Sequence, residues 1–408
     1  MDGGSISGIA ADLAARGLNG ASEAELLSAF CAAGRAAGLP LDRAVAVIDT
    51  LHPVHEGRAF QWDSEANVPP ESEYGPTNEG AALLSWQRSA FYRLWSGTDT
   101  EIRRRLGFGD PADFSMLDKL AEAGHTDFIA LGHRFSPEGT IGEMDCFLSY
   151  FATRHPDGFR EGDVEALRAL LPTLALAIKC TALARIARTI AEVYLGEDAA
   201  GQVLSGKIRR GQPQRISAVI WFSDLLGYTK LSDSAAPDEV LALLDDYGEA
   251  VISAVHAEGG NVLKLIGDGV LAIFKADAPD DASCAALRAE RRLRERLAEL
   301  NASRRAENRP TTDVYIGLHI GEVFYGNIGS EQRLDFTVIG PAVNEVSRIA
   351  SMCRSVDVNV LMSTDFFEAL PAERRASLAC VGRFALRGVQ RIQSLHTLEA
   401  ARLLGYSG

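Results

Sequence analysis

The alternation of apolar and polar positions in the first 165 residues predicts a small sheet with helices packed on it. Apolar residues recur at helical spacing across residues 22–37, and Ser22 with Glu25 matches a capping box at the start of that helix. Short apolar runs bounded by turn residues predict three strands, at residues 44–51, 126–134 and 144–152. The proline-containing stretch 67–78 predicts a loop.

A long helix follows, in which apolar residues are spaced by four, three and four positions, close to a heptad pattern. These residues are Leu167, Leu171, Leu174 and Ile178. Two interpretations are open: a single helix packed on its own domain, which Pro172 favours for the first turn, or a parallel two-helix linker between the halves of a dimer. Glycines recur through residues 196–214, which predicts a domain boundary there.

A second series of strands and helices begins after this boundary. Residues 216–222 form a continuous apolar run, which predicts a buried strand. Two further runs, 262–266 and 270–274, flank a Gly-Asp-Gly segment and predict a tight hairpin. Residues 237–258 between them predict a helix. The order is that of a βαβ unit followed by a hairpin.

Composition and charge narrow the functional classes. The chain has 408 residues, enough for two or three domains, with 47% hydrophobic and 24% charged residues, as in soluble globular proteins. The net charge of −14 argues against a general nucleic-acid binder. The six cysteines include no Cys-x-x-Cys pair, so neither a zinc site nor a disulfide framework is predicted. The apolar stretch 170–184 is interrupted by Lys179 and is short for a membrane span, and no signal peptide is recognised. We therefore expect a cytoplasmic protein.

Two carboxylates stand at the ends of predicted strands. Asp224 follows the run 216–222, and Asp268 lies between two glycines in the predicted hairpin. A strand fixes the position of the acid, and glycine lets a backbone group or ligand oxygen approach closely. Each acid alone is typical of a turn. Together they suit Mg²⁺ ions that neutralise a triphosphate, because magnesium prefers oxygen ligands and takes one or two protein carboxylates.

A third segment adds polar residues to this chemistry. Residues 333–348 run from a predicted strand into a predicted helix that carries Asn344 and Arg348. Residues four positions apart project from the same face of a helix. An amide there can orient a ribose, and a guanidinium can stabilise charge that develops on a phosphate.

With these motifs together, residues 215–399 resemble the catalytic domain of class III adenylate cyclases. The resemblance implies an α+β, ferredoxin-like core that converts ATP into cyclic AMP and pyrophosphate. It implies metal ligation by Asp224, Asp268 and the Leu225 carbonyl, with two Mg²⁺ or Mn²⁺ ions per active site. It further implies roles for five polar residues: Lys264 and Thr337 in reading adenine, Asn344 in orienting ribose, Arg348 in the transition state, and Arg387 in binding the triphosphate.

Two departures from the family pattern affect these roles. Thr337 stands where many animal enzymes have Asp, and its hydroxyl is a less selective acceptor for adenine. Arg387 replaces the usual Lys, which exchanges a compact ammonium for a planar guanidinium. Lys264 favours adenine, because a guanylate cyclase has Glu at that position. The resemblance also implies a homodimer, with the metal acids of each site on one subunit and Lys264, Thr337, Asn344 and Arg348 on the other.

The N-terminal region resembles a GAF-like sensor domain, an α/β fold, by its order of elements. We accordingly predict a GAF-like regulatory domain over residues 1–165, a linker helix and transducer over 166–214, and a cyclase domain over 215–408. The linker would contribute to the homodimer, and a small molecule would be the ligand of the first domain. Trp62, Trp86 and Trp95 are interpreted as core residues in preference to the wall of a ligand pocket.

Two alternatives for the whole chain stay open. The C-terminal domain could bind nucleotide without turnover, although Asp224, Asp268, Asn344 and Arg348 are all present. It could also be a guanylate cyclase, which Lys264 opposes. A diguanylate cyclase is disfavoured, because the Gly-Gly-Asp/Glu-Glu-Phe signature is absent.

Overall fold

The chain forms two compact units, Met1–Ile190 and Ala191–Gly408, in a computed structural model. The structure describes residues 1–65, 68–97, 99–135, 141–142, 145–207, 213–389 and 391–398. The sequence Ser-Pro-Glu-Gly at residues 136–139 predicts a turn between the strands expected at 126–134 and 144–152, and it lies outside this part of the chain.

The N-terminal unit contains helices and strands in mixed order. The helices are α1 (Gly3–Leu18), α2 (Glu23–Ala36), α3 (Gly80–Gln87), α4 (Ala90–Ser96), α5 (Leu117–Glu122) and α6 (Glu161–Leu195), whose last turn passes into the second unit. The strands are β1 (Arg43–Asp49), β2 (Gly57–Asp63), β3 (Glu71–Tyr74), β4 (Glu101–Arg104), β5 (Asp127–Arg134) and β6 (Cys146–Thr153).

These strands form an antiparallel sheet with helices against both faces. Among the described residues the strand order is β3-β2-β1-β6-β5-β4. Successive side chains of a strand point to opposite faces. Ala44 and Ala46 of β1 accordingly pack in the core formed with α1, α2 and α6, whereas Val45 packs in the core formed with α4 and α5. The sheet is therefore buried on both faces.

The local predictions for this unit are largely confirmed. The strands match within a few residues, and α2 begins with the predicted capping box: the Glu25 amide donates to Ser22 Oγ over 3.3 Å, and the Ser22 amide donates to Glu25 Oε2 over 2.8 Å. Part of the predicted loop 67–78 is wrong, because Glu71–Tyr74 forms the edge strand β3. Helix α1 was not predicted, since only Ile9 and Leu13 of its residues are buried.

Helix α6 packs on its own unit, which corrects the predicted linker. The four residues of the predicted heptad seam are buried in the same core as α1 and α2, and burial continues to Ile186. That seam is therefore unavailable to a second chain, and the unit ends near residue 190 rather than 165. Helix α6 is long and apolar enough to cross a membrane by length and composition, a test that buried core helices also pass.

The C-terminal unit carries the following elements. Its helices are α7 (Glu197–Leu204), α8 (Tyr228–Ser234), α9 (Pro237–Ala257), α10 (Pro279–Ala306), α11 (Pro341–Val356), α12 (Thr364–Ala369) and α13 (Ala372–Arg375). Its strands are β7 (Gln214–Leu225), β8 (Asn261–Ile266), β9 (Gly269–Lys275), β10 (Val314–Gly329), β11 (Leu334–Ile339), β12 (Val360–Met362), β13 (Leu378–Phe384) and β14 (Gln393–Leu398).

The sheet of this unit has the order β13-β14-β12-β10-β7-β9-β8 among the described residues, and β11 pairs with the end of β10. Val219 and Trp221 of β7 face the core formed with α9 and α10, whereas Ala218 and Ile220 face the core that contains residues of α7 and α11. The predicted β7-α9-β8-β9 order and the hairpin are confirmed.

The predicted boundary at 196–214 is wrong in one respect, because α7 lies within it and belongs to the C-terminal unit. Ala199 and Ala200 of α7 are fully buried. Asp198 Oδ1 pairs with Lys275 Nζ over 2.7 Å, and its Oδ2 accepts a 2.5 Å hydrogen bond from the Tyr325 hydroxyl. These contacts join α7 to β9 and β10, so the unit begins before residue 215.

Candidate active site

The structure brings the two predicted acids together. Asp224 is the penultimate residue of β7, and Asp268 lies in the turn between β8 and β9, which pairs beside β7. The Leu225 amide donates to Asp268 Oδ2 over 3.3 Å. A Cβ at Gly269 would lie 2.8 Å from the Ser223 carbonyl oxygen, so this position requires glycine for the turn to approach β7.

The electrostatics of this pair suit a cation. Partial burial, and then the charge of Asp268, raise the pKa of Asp224 to about 6. Two carboxylates that oppose each other's ionisation are stabilised when a divalent ion lies between them. Oxygen donors of this kind are those that Mg²⁺ and Mn²⁺ prefer. Asp224 and Asp268 therefore fit a divalent metal ion.

The predicted base-reading residues lie on β8 and β11. Lys264 of β8 forms an ion pair with Asp335 of β11. Thr337 follows Asp335 by two positions, so both side chains lie on the same face of β11. Thr337 is 8% exposed. Asp335 was missed by the sequence analysis, although its spacing of two from Thr337 on a predicted strand was a usable signal.

The three remaining predicted residues line one cavity. Asn344 and Arg348 are exposed on α11, and Arg387 lies in the turn after β13. All three border a cavity of about 1090 Å³. An amide and two guanidinium groups at one opening offer several hydrogen-bond donors and two positive charges, which suits a polyphosphate.

A buried polar group lies next to Asn344 on α11, and its Glu345 borders the same cavity. Glu345 accepts a 2.6 Å hydrogen bond from Gln393 Nε2, and its Oε1 lies 3.8 Å from His319 Nδ1. His319 Nδ1 also lies 2.8 Å from Ser363 Oγ. Burial lowers the pKa of His319 to about 4 and raises the pKa of Glu345. These contacts hold α11 against β10 and β14.

The same group has an arrangement that could hold a metal ion. His319, Glu345 and Asp365 each offer a ligand atom within 4.8 Å of the others. Asp365, however, is paired with Arg391. The sequence analysis missed this group, because a charged residue within α11 is typical of a solvent-exposed position.

The acids and the cavity of Asn344 occupy different parts of the unit. Asp268 lines a separate cavity of about 240 Å³, which includes none of the residues that line the larger one. One chain thus carries two separate sets of polar groups: the acids, and the Asn–Arg–Arg set.

Comparison with known proteins agrees with this geometry. Residues 212–400 match the family described as the adenylate and guanylate cyclase catalytic domain. An uncharacterized protein of Mycobacterium tuberculosis is 31% identical over 199 residues, which are 48% of this chain and 35% of that protein. An adenylate cyclase of Anabaena cylindrica is 31% identical over 182 residues, which are 44% of this chain and 36% of that protein.

Among solved structures, the adenylyl cyclase CyaB from P. aeruginosa aligns with 24% identity and a TM-score of 0.41, over 46% of this chain and 95% of that one. The chain spans only about a third of the length of the curated relatives above. The matched region contains the acids, Lys264, Thr337, the residues of α11 and Arg387. The region similar to adenylate and guanylate cyclase catalytic domains is therefore residues 212–400, the part of the chain that carries the candidate site.

Proposed function

We propose that this domain is an adenylate cyclase, which converts ATP into 3′,5′-cyclic AMP and pyrophosphate. The observation that carries the proposal is the convergence of Asn344, Arg348 and Arg387 on one cavity, with the acid pair elsewhere on the same domain. The name of the Anabaena cylindrica relative supports the choice of adenylate.

In the proposed reaction, the ribose 3′ oxygen attacks the α-phosphorus and forms the new P–O bond. The bond from the α-phosphorus to the oxygen bridging to the β-phosphorus breaks, and pyrophosphate leaves with that electron pair. The proton of the 3′ hydroxyl is released to solvent. Asn344 orients the ribose, Arg348 stabilises the charge that develops at the α-phosphate, and Arg387 binds the triphosphate.

Asp224 and Asp268, with the Leu225 carbonyl, would hold two Mg²⁺ or Mn²⁺ ions. When bound, such ions supply Lewis-acid activation of the hydroxyl and neutralise the leaving group. The two acids would fix where the triphosphate lies relative to β7. Asp224 is near the end of that strand, and Asp268 is in the turn of the β8–β9 hairpin beside it.

Lys264 and Thr337 would select the base. The ammonium of Lys264 donates to the N1 acceptor of adenine, and the Thr337 hydroxyl accepts from the exocyclic amine. Guanine presents a donor at N1, which leaves the Lys264 ammonium without an acceptor there. The ion pair with Asp335 holds Lys264 beside Thr337 before substrate arrives.

The active enzyme would be a homodimer with two equivalent sites across the subunit interface. This proposal is supported by the cavity that Asp268 lines, which shares no residue with the cavity of the Asn–Arg–Arg set in the same chain. The large apolar residues of α6 exposed for such a contact are Leu176, Val193 and Tyr194.

The N-terminal unit would be a GAF-like regulatory domain, and the protein would be cytoplasmic, without a nucleic-acid or membrane partner. The six-stranded sheet packed between helices supports the regulatory assignment. The burial of α6 residues in the core supports a water-soluble protein.

The direct test is an assay of the purified protein with ATP and Mg²⁺ or Mn²⁺, with cyclic AMP measured by mass spectrometry. We expect product from the wild-type protein and from Asp277→Asn, an exposed acid outside the site, and none from Asp224→Asn. Equal ATP and GTP in one reaction should give mainly cyclic AMP. Nucleotide binding without product would favour a binding module, and mainly cyclic GMP would favour a guanylate cyclase.

A further inference from the structure

Three carboxylates meet at one end of the N-terminal sheet. Asp49 is the last residue of β1, Glu56 directly precedes β2, and Asp145 directly precedes β6. Strand β1 is antiparallel to both β2 and β6, so the end of β1 meets the beginnings of its two neighbours. The three side chains line one cavity of about 660 Å³, a volume suited to a small molecule.

Two of these acids accept hydrogen bonds from neutral hydroxyl groups of the cavity wall. The Tyr74 hydroxyl donates to Asp49 Oδ1 over 2.7 Å, and Thr77 Oγ1 donates to Glu56 Oε1 over 2.6 Å. Asp145 Oδ1 is buried and has no hydrogen-bond partner among the described residues. A buried acceptor without a partner is unfavourable. Asp145 itself borders the cavity, so its carboxylate can accept from a ligand that carries a donor.

The acids raise the pKa values of neighbouring groups, which indicates a negative potential beside them. Burial, and then the charge of Asp145, raise the pKa of the Cys146 thiol. Burial, and then the charge of Asp49, raise the pKa of the Tyr74 hydroxyl. Lys, Arg and His are absent from the described residues that line the cavity. An anionic ligand such as a nucleotide is therefore disfavoured.

Aromatic rings form another part of the cavity wall. Trp86 of α3 lies 6.0 Å from Tyr92 and 6.4 Å from Trp95, and the two rings of α4 lie 6.0 Å apart, all between ring centroids. Trp95 is 41% exposed, so the expectation that these tryptophans are core residues is wrong for this one. Aromatic faces attract organic cations and pack against apolar groups.

We propose that this cavity binds a small organic ammonium ion, with its N–H group donating to the Asp145 carboxylate and its apolar body against Trp86, Tyr92 and Trp95. An inorganic divalent cation fits less well. A metal site needs several ligand atoms close together. Among the described residues, three or more His, Cys, Asp or Glu side chains come within 4.8 Å of one another only at His319, Glu345 and Asp365, in the C-terminal unit. A neutral apolar molecule would leave Asp145 without a donor.

The test measures the binding of 2-phenylethylammonium to the full chain, by calorimetry and by tryptophan fluorescence. The matched control ligand is 2-phenylethanol, which has a similar size and no charge. We expect saturable binding of the amine, at least about tenfold tighter than the alcohol, because charge and hydrogen bond are both lost in the alcohol. Neither measurement depends on cyclase activity, so the result is independent of the proposed function.

Variants of the cavity complete the experiment. Asp145→Asn and Trp95→Leu should each weaken amine binding by about tenfold or more, whereas Asp113→Asn, an acid paired with Arg104 elsewhere in the unit, should not. Circular dichroism would show whether each variant is folded. The comparison of amine with alcohol uses the wild-type protein, so it does not depend on any variant folding. Equal binding of amine and alcohol, no saturable binding up to about 10 mM, or unchanged affinity in both cavity variants would overturn the proposal.

Discussion

At the scale of single residues, Asp335 shows how a neighbour can prepare a recognition group. Its ion pair with Lys264 restricts a side chain that otherwise has high rotamer entropy. We expect Asp335→Asn to raise KM for ATP about fivefold, with a smaller change in kcat. A fivefold change corresponds to about 1 kcal/mol, the free energy that a half-exposed ion pair contributes. Steady-state kinetics with ATP and GTP would measure both effects.

The matched control for Asp335 is Glu322→Gln, which removes a different exposed ion pair, with Arg215, in the same sheet. It should leave KM unchanged. If both variants behave alike, the Lys264–Asp335 pair has no role in substrate recognition.

His319 makes a second prediction at this scale, on the pH dependence of stability. Its pKa is lowered to about 4 by burial, from an ordinary value of 6.5, so the unfolded chain binds more protons between these values. Stability from this group is therefore complete above pH 6.5 and is lost as pH falls towards 4, by at most about 3 kcal/mol. Glu345, whose pKa is raised, acts in the opposite direction as pH rises above 4.5.

Urea unfolding between pH 4 and 7.5 would measure the effect of His319. His319→Gln should reduce the loss of stability on acidification, whereas His256→Gln, an exposed histidine of the same unit, should not. An identical pH profile for wild type and His319→Gln would contradict the assignment.

At the scale of elements, short-range sequence patterns predicted helices and strands well, whereas contacts between residues distant in the sequence could not be predicted. The hairpin of β8 and β9 was predictable because a Gly-Asp-Gly turn joins two apolar runs directly. The Lys264–Asp335 pair was not, because 71 positions separate the residues and only the pairing of β11 with β10 brings them close. Helix α7 was missed because glycines within and around it resemble a linker, whereas its stability comes from burial against the sheet.

The packing of α7 predicts that the C-terminal unit depends on it. Ala199→Asp would place a charge at a fully buried position and should destabilise the unit by about 2–4 kcal/mol. Leu204→Asp, at a position 43% exposed on the same helix, should have little effect. Denaturant unfolding followed by circular dichroism would compare them. Equal stability of the two variants would mean that α7 is a linker after all.

At the scale of the whole molecule, the mixture of sheet and helices in each unit followed from the sequence, whereas the extent of each unit did not. The heptad-like spacing of α6 is shared by a coiled-coil seam and by a helix packed on a core, and only the contacts with α1 and α2 distinguish them. Asp224, Asp268 and the α11 residues could be named as candidates because each lies within a short motif. Their assignment to different subunits rests on the proposed homodimer and needs its own experiment.

Mixing two inactive variants tests that assignment. Asp224→Ala loses the acid set and Arg348→Ala loses the other set, so each homodimer should be inactive. In a mixed dimer, one of the two sites receives intact acids from one subunit and intact Asn344 and Arg348 from the other. Random pairing makes half of the dimers mixed, so cyclic AMP formation should recover to about a quarter of the wild-type rate.

Mixing Asp224→Ala with Asp268→Ala should restore nothing, because both sites then lack an acid. Recovery in that control would place the two acids of a site on different subunits. No recovery in the first mixture, despite dimer exchange shown by mass spectrometry, would place the whole site within one chain.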